Sequence, residues 1–338
     1  VTEARPSSNR APLLRPEPEQ GRPVGDIETL VTKARAGDHR AVARLITLVE
    51  TSHRRLPELA AALAAETGSA QVIGLTGAPG VGKSTVTAEL VRALRAVGRR
   101  VGVLAVDPSS PFTGGAILGD RVRMQDHATD PGVYIRSMSS RGHLGGLAAA
   151  TPQAVRVLAG AGCQVVLVET VGVGQAEVEV ASLADTTLVL LAPGLGDAIQ
   201  AAKAGILEVA DIFVVNKADR DGADATYHDI QGMIGLARRP AGQWRPRVVR
   251  TVATRPEGIG ELMAAIDQHR QWLASHDQLR RRREQRAAAE VEAIVLAGVR
   301  ERIGGVAGLP ALAAAVAAGE QDPYAAADAI LADLGLRP

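Results

Sequence analysis

Eight consecutive residues carry the strongest chemical signal in the chain. Gly77-Ala78-Pro79-Gly80-Val81-Gly82-Lys83-Ser84 fits G-x-x-x-x-G-K-[ST] at every position, and Thr85 follows. Glycines let successive backbone N–H groups turn inward around phosphate oxygens. A helix beginning near Lys83 points its positive end at the same anion. Lys83 sets a cation between the β- and γ-phosphates, and Ser84 offers its hydroxyl to Mg²⁺. The stretch follows an apolar run at 72–77 and precedes a helical pattern from Lys83 to Val97. That context separates a phosphate loop from a chance glycine-rich turn.

A second cluster addresses the base. Asn216-Lys217-Ala218-Asp219 ends the apolar run that starts at Asp211. This N-K-x-D pattern resembles the guanine-reading element of GTPases. The Asp219 carboxylate can accept both N1–H and N2–H₂ of guanine; adenine offers a donor at neither place and leaves the acid unpaired. Asn216 positions the loop, and the stem of Lys217 lies along the ring. Alone, the four letters also describe a strand-end turn with a surface carboxylate. The phosphate loop upstream makes the guanine reading the stronger one. Ala253 and Thr254, in the stretch 251–254, are the natural fifth loop at the base.

Acids at strand ends suit a hydrated Mg²⁺, which keeps several waters. Glu169 closes the run at 164–170, where common GTPases carry the Asp of D-x-x-G. Gly172 lets a backbone N–H approach the γ-phosphate. Val173 occupies the place of a water-orienting Gln, which predicts slow intrinsic hydrolysis. Gln175 is not assigned that role. Asp107 closes the run at 100–107, and Asp120 follows in the next loop. Both face the phosphates if that loop folds over them. Asp197 and Lys203 lie in a glycine-containing segment suited to change shape with the nucleotide. Arg280–Arg283 reads as a solvated helix face.

The elements that must position these residues follow a βα rhythm. Six nearly all-apolar runs read as strands: 72–77, 100–107, 164–170, 186–193, 211–217 and 247–253. Helical patterns lie between most of them. This grammar specifies a mostly parallel sheet covered on both faces, with ligands beyond the carboxyl ends of the strands. Residues 1–23 read as a disordered tail and 24–70 as a helical extension. The α/β nucleotide domain spans 71–275, and a helical arm spans 276–338. The arm's two last helices, around 309–318 and 323–334, are too apolar to stand free in water.

Composition narrows the function classes. The chain has 338 residues, 46% of them hydrophobic, enough for a sizeable core. Its 38 Lys and Arg balance 37 Asp and Glu, and two Trp, three Tyr and two Phe offer few stacking platforms. A nucleic-acid partner is therefore not expected. The single cysteine, Cys163, excludes an internal disulfide framework. No run of about 18 apolar residues predicts a membrane span, and the tail lacks the apolar core of a signal peptide. The expected location is cytoplasmic.

The motifs GAPGVGKST, VDPSSPFTGGAILGDRVRM, SRGHLGGL, VETVGVGQ, PGLGDAIQAAKAGI and NKAD occur in this order. Together they resemble the G3E-type GTPases that accompany methylmalonyl-CoA mutase, from about residue 25 to near the C-terminus. The resemblance implies a P-loop NTPase fold of the SIMIBI/G3E type, with the C-terminal helices as a dimerisation arm. It implies a homodimer that binds GTP or GDP with Mg²⁺ and associates with the adenosylcobalamin-dependent mutase. There it gates cofactor loading, protects the mutase and helps to reactivate it. Family roles map Lys83 and Ser84 to the phosphate loop and Asp107, Asp120 and Glu169 to the metal. Asn216, Lys217 and Asp219 map to the base, and Asp197 and Lys203 to the relay toward the mutase. Two alternatives stand beside this reading. One is a nickel-insertion type of metallochaperone GTPase, which lacks its usual Cys/His ligands here. The other is a kinase or ATPase of an arginine/ornithine transport system, against which NKAD argues. Which acyl-CoA mutase is served is left open.

Overall fold

The computed structural model describes residues 26–51, 54–66, 68–108, 127, 129–140, 150–170, 176–194, 206–237, 240, 242–304 and 308–335. Two helices open the described chain: α1 (Ile27–Arg35) and α2 (His39–Glu50). Each is started by an aspartate. Asp26 accepts from the Thr29 N–H, and Asp38 from those of Arg40 and Ala41, satisfying first-turn donors. α3 (Leu56–Ala62) follows.

Seven strands then form one sheet in the order β3-β2-β4-β1-β5-β6-β7, every pair parallel. They are β1 (Gln71–Thr76), β2 (Val101–Pro108), β3 (Val133–Ser140), β4 (Val165–Thr170), β5 (Thr186–Leu191), β6 (Ile212–Asn216) and β7 (Arg247–Thr251). β1, β4 and β5 are buried at every position, as expected for a sheet with helices on both faces. On one face lie α4 (Lys83–Ala96) and α9 (Ile259–Ser275), around Leu90, Leu167, Leu188 and Leu262. On the other lie α5 (Thr151–Gly160), α6 (Ala176–Leu183) and the opening helices, around Leu45, Leu104, Leu158 and Val166. α7 (Ile206–Val209) and α8 (Ala223–Leu236) complete the alternation.

One strand has no counterpart among the six apolar runs. β3 is one of the sheet's two edges, and its Ile135, Arg136 and Ser137 are only partly buried. Val133, Tyr134 and Met138 face the core, while Arg136 turns out to pair with Glu50 of α2. Arg136 and Ser137 interrupt its apolar residues, so no continuous run appears.

The chain ends in α10 (Gln278–Gly304), α11 (Leu309–Ala317) and α12 (Pro323–Asp333). The start of α10 corrects the expectation of a solvated arginine face. Arg280 does face solvent, against Asp277 and Glu284. Arg282 and Arg283 turn inward, with Arg286. The Arg282 guanidinium grips Asp211 with both arms at 2.8 and 2.9 Å. Arg283 and Arg286 meet the two oxygens of Asp185 at 3.1 and 2.8 Å. Asp185 and Asp211 precede β5 and β6, and both are buried. A buried ionised carboxylate is costly without a cation and hydrogen bonds, so α10 lies across this amino edge of the sheet and delivers them. Cys163 is also buried. Burial pushes its thiol up to about 12, which keeps it unreactive at neutral pH.

Candidate functional site

Because all strands are parallel, their carboxyl ends meet at one edge, where α/β sheets bind ligands. β1 ends there and leads into the glycine-rich loop. Gly77 has φ +139°, and a Cβ on it would lie 2.2 Å from the Leu190 carbonyl oxygen of β5. Only glycine lets the chain turn this close to the neighbouring strand. Gly82 starts α4 with φ +96° and no side-chain cap. The positive end of the α4 dipole thereby faces this edge, where it suits an anion.

Lys83 and Ser84 occupy the first turn and are buried. The Lys83 ammonium donates to the carbonyls of Gly77 at 2.7 Å and Ala78 at 3.1 Å. The Ser84 hydroxyl donates to Glu169 Oε1 at 2.7 Å. Glu169 sits on β4, between Leu75 of β1 and Ala105 of β2, and is buried. Its other oxygen lies 3.0 Å from the Thr87 hydroxyl. A hydroxyl and a carboxylate are hard oxygen donors, so this pair fits Mg²⁺. Among the described residues no group of three His, Cys, Asp or Glu forms a metal site of its own. Asp107 lies at the same edge, opposite Ser139 at the end of β2.

The second loop enters from β6. Asn216 ends that strand, buried, opposite Thr251 of β7. Its amide donates to the Val81 carbonyl at 2.8 Å. Its Oδ1 accepts from the Thr251 hydroxyl at 3.0 Å and the Ala253 N–H at 3.3 Å. Gly82 makes room for this side chain, since a Cβ there would lie 2.4 Å from the Asn216 amide nitrogen. Lys217 adopts φ +57°, an uncommon left-handed conformation, and its ammonium reaches the Gly80 carbonyl at 2.6 Å. The two loops are thus one hydrogen-bonded unit. Asp219 stands exposed beyond them, with the Arg255 guanidinium 3.4 Å away.

The sequence-derived residues therefore divide in three. Residues 77–84, Glu169, Asn216, Lys217 and Ala253 are brought together by direct contact. Thr85, Asp107, Asp219 and Thr254 lie at the same edge, Asp219 and Thr254 exposed. Asp120, Gly172, Asp197 and Lys203 lie outside the described residues. Thr87 was not singled out, although its one-turn spacing from Ser84 places both hydroxyls on one helix face.

An all-parallel sheet that ties a lysine-bearing phosphate loop to an N-K-x-D loop belongs to the P-loop GTPases, here of the G3E type. The family model described as Methylmalonyl Co-A mutase-associated GTPase MeaB matches residues 42–306. The chain belongs to that family, and it is a GTP hydrolase that binds guanine nucleotide. A protein of Pyrococcus abyssi, named a GTPase, is 48% identical over 314 residues, covering 91% of this chain and 97% of its own. The Mus musculus protein named methylmalonic aciduria type A homolog, mitochondrial, is 36% identical over 275 residues, covering 76% of this chain and 66% of its own. A crystal structure titled LAO/AO transport system kinase superposes with a TM-score of 0.69 at 28% identity, covering 91% of this chain and 97% of that one. Among the described residues no helix is long and apolar enough to cross a membrane.

Proposed function

We propose that this GTPase uses Mg²⁺ and serves adenosylcobalamin-dependent methylmalonyl-CoA mutase, gating cofactor loading and protecting and reactivating the enzyme. The family match over residues 42–306 is the observation that supports this partner. The joined loops support nucleotide gating, because one ligand bears on both. In the bound state Lys83 exchanges the Gly77 and Ala78 carbonyls for β- and γ-phosphate oxygens. The first-turn N–H groups of α4 hold the same phosphates. Asp219 accepts from the guanine N1–H and N2–H₂, with Asn216, Lys217, Ala253 and Thr254 shaping the base pocket. Ser84, Glu169, Asp107 and Asp120 would hold hydrated Mg²⁺, and Gly172 would offer its N–H to the γ-phosphate. Bound there, Mg²⁺ would supply neutralisation of the charge that develops between the phosphates. Water attacks the γ-phosphorus in line, and Lys83 and the loop amides stabilise the transition state. Asp197 and Lys203 carry the nucleotide state toward the mutase.

Basal turnover should be slow and should rise several-fold when purified mutase is added, with ATP hydrolysed far less well. Turnover unmoved by the mutase would remove that partner. ATP hydrolysed as readily as GTP would remove the guanine assignment and return the kinase reading.

We also propose that the protein is a homodimer joined through α10–α12. Val291, Ile294, Val295 and Leu296 of α10 are about half exposed or more. α11 has no buried residue. An open groove of about 1030 Å³ runs between α3, α5, α6 and α10, lined mostly by apolar side chains such as Leu56, Leu183 and Ala293. Apolar surface of this extent marks an interface. Val291→Asp with Val295→Asp should convert dimers to monomers in sedimentation, and an unchanged dimer would refute the assignment.

A further inference from the structure

Glu169 stands where common GTPases carry aspartate, and the structure gives the longer acid a second partner. Ser84 and Thr87 lie three residues apart on α4, so their side chains stack on one helix face. Glu169 spans the two, with Oε1 2.7 Å from the Ser84 hydroxyl and Oε2 3.0 Å from the Thr87 hydroxyl. Thr87 is fully buried. Its oxygen also lies 3.0 Å from the Lys83 carbonyl, but a hydroxyl has a single proton to give. The helix geometry already supplies that carbonyl with the Thr87 N–H. An ionised carboxylate is the stronger acceptor. The proton therefore belongs to Glu169, with the Thr87 oxygen free to accept elsewhere.

We propose that Thr87 is a positioning residue for the metal site. This rests on the Mg²⁺ reading above. When Ser84 turns its hydroxyl toward a cation, it releases Glu169 Oε1. Thr87 keeps hold of Oε2, so the carboxylate stays aimed at the site instead of relaxing to another rotamer. Oε1 is then oriented to accept from a metal-bound water. An aspartate at position 169 is shorter by one methylene and would hold its carboxylate further from both hydroxyls. Glu169 and Thr87 thus form one device.

The test is a titration of free Mg²⁺ against the affinity of a fluorescent GDP analogue, a readout independent of turnover. Thr87→Val keeps the shape and removes the hydroxyl. The affinity measured in EDTA should stay at the wild-type value. The Mg²⁺ concentration needed for the affinity gain should rise roughly 10–100-fold, the range seen when a partner of a metal ligand is removed. Thr87→Ser should restore it. In a Glu169→Asp background, Thr87→Val should add no further change. A wild-type Mg²⁺ profile in Thr87→Val would overturn the proposal while leaving the Mg²⁺ reading intact. So would an equal loss with and without Mg²⁺, which marks a packing role alone. A wild-type protein indifferent to Mg²⁺ would overturn both.

Discussion

Asn216→Ala will weaken GDP binding by at least about 100-fold and destabilise the nucleotide-free protein. The side chain makes three buried hydrogen bonds: to the Val81 carbonyl, the Thr251 hydroxyl and the Ala253 N–H. Removing it leaves buried groups unsatisfied, each at a cost of about 1–3 kcal/mol. Some relax toward water, so the joined-loop state should lose about 3 kcal/mol; nucleotide binding must then restore that state, and 1.4 kcal/mol is tenfold in affinity. The effect reaches beyond the base, because Asn216 joins the phosphate loop to the end of β7. Asn216→Asp separates the two functions. It keeps an acceptor for Thr251 and Ala253 but sets a carboxylate oxygen against the Val81 carbonyl. It should therefore fall at least as far in affinity. GDP titration beside urea denaturation checks both, and near-wild-type affinity in either variant would show that the loops bind independently.

The sequence made some of this site legible and hid the rest for a physical reason. Residues 77–84 and 216–219 each lie within one loop, so their chemistry is written consecutively. The runs of β1, β2, β4, β5 and β6 were readable because strands inside a sheet covered on both faces demand nearly unbroken apolar stretches. β3 escaped because Arg136 and its serines break up the apolar residues. The bond between Asn216 and Val81 spans 135 residues, and no local pattern encodes it. Thr87 looks like an ordinary helix residue until Glu169 is placed beside it. The arginines of α10 misled because four in a row usually serve solubility. Yet the chain repeats Ala-Asp before two adjacent apolar strands, at 184–185 and 210–211. Two acids destined for the amino edge of a buried sheet call for cations, and that repeat was the available clue.

Asp211→Ala will be among the most destabilising changes in the molecule although it lies at the edge opposite the nucleotide. Its carboxylate accepts both arms of Arg282 and the Thr187 N–H at 2.9 Å, with His269 Nε2 3.3 Å away. The Asp211 N–H returns a bond to the Thr187 carbonyl at 3.0 Å, so one residue closes the start of β5 and anchors α10. Breaking a buried pair by removing one partner costs about 3–5 kcal/mol. Arg282 is one-third exposed and can recover some hydration, which places the expectation near the lower bound. Burial alone would raise the Asp211 carboxyl, but the hydrogen bonds from Arg282 and the pairing with His269 outweigh it and hold the group at about 2. The unfolded chain ionises near 3.9. The depressed value therefore contributes stability that is present above about pH 4 and is lost as the pH falls through about 2. Asp211→Asn keeps the shape without the charge. Its deficit against wild type in urea denaturation should be large at pH 7 and should shrink steadily between pH 4 and pH 2. A deficit that is the same at both ends of that window would mean that packing at the start of β5, and not the ionised carboxylate, holds α10 to the sheet.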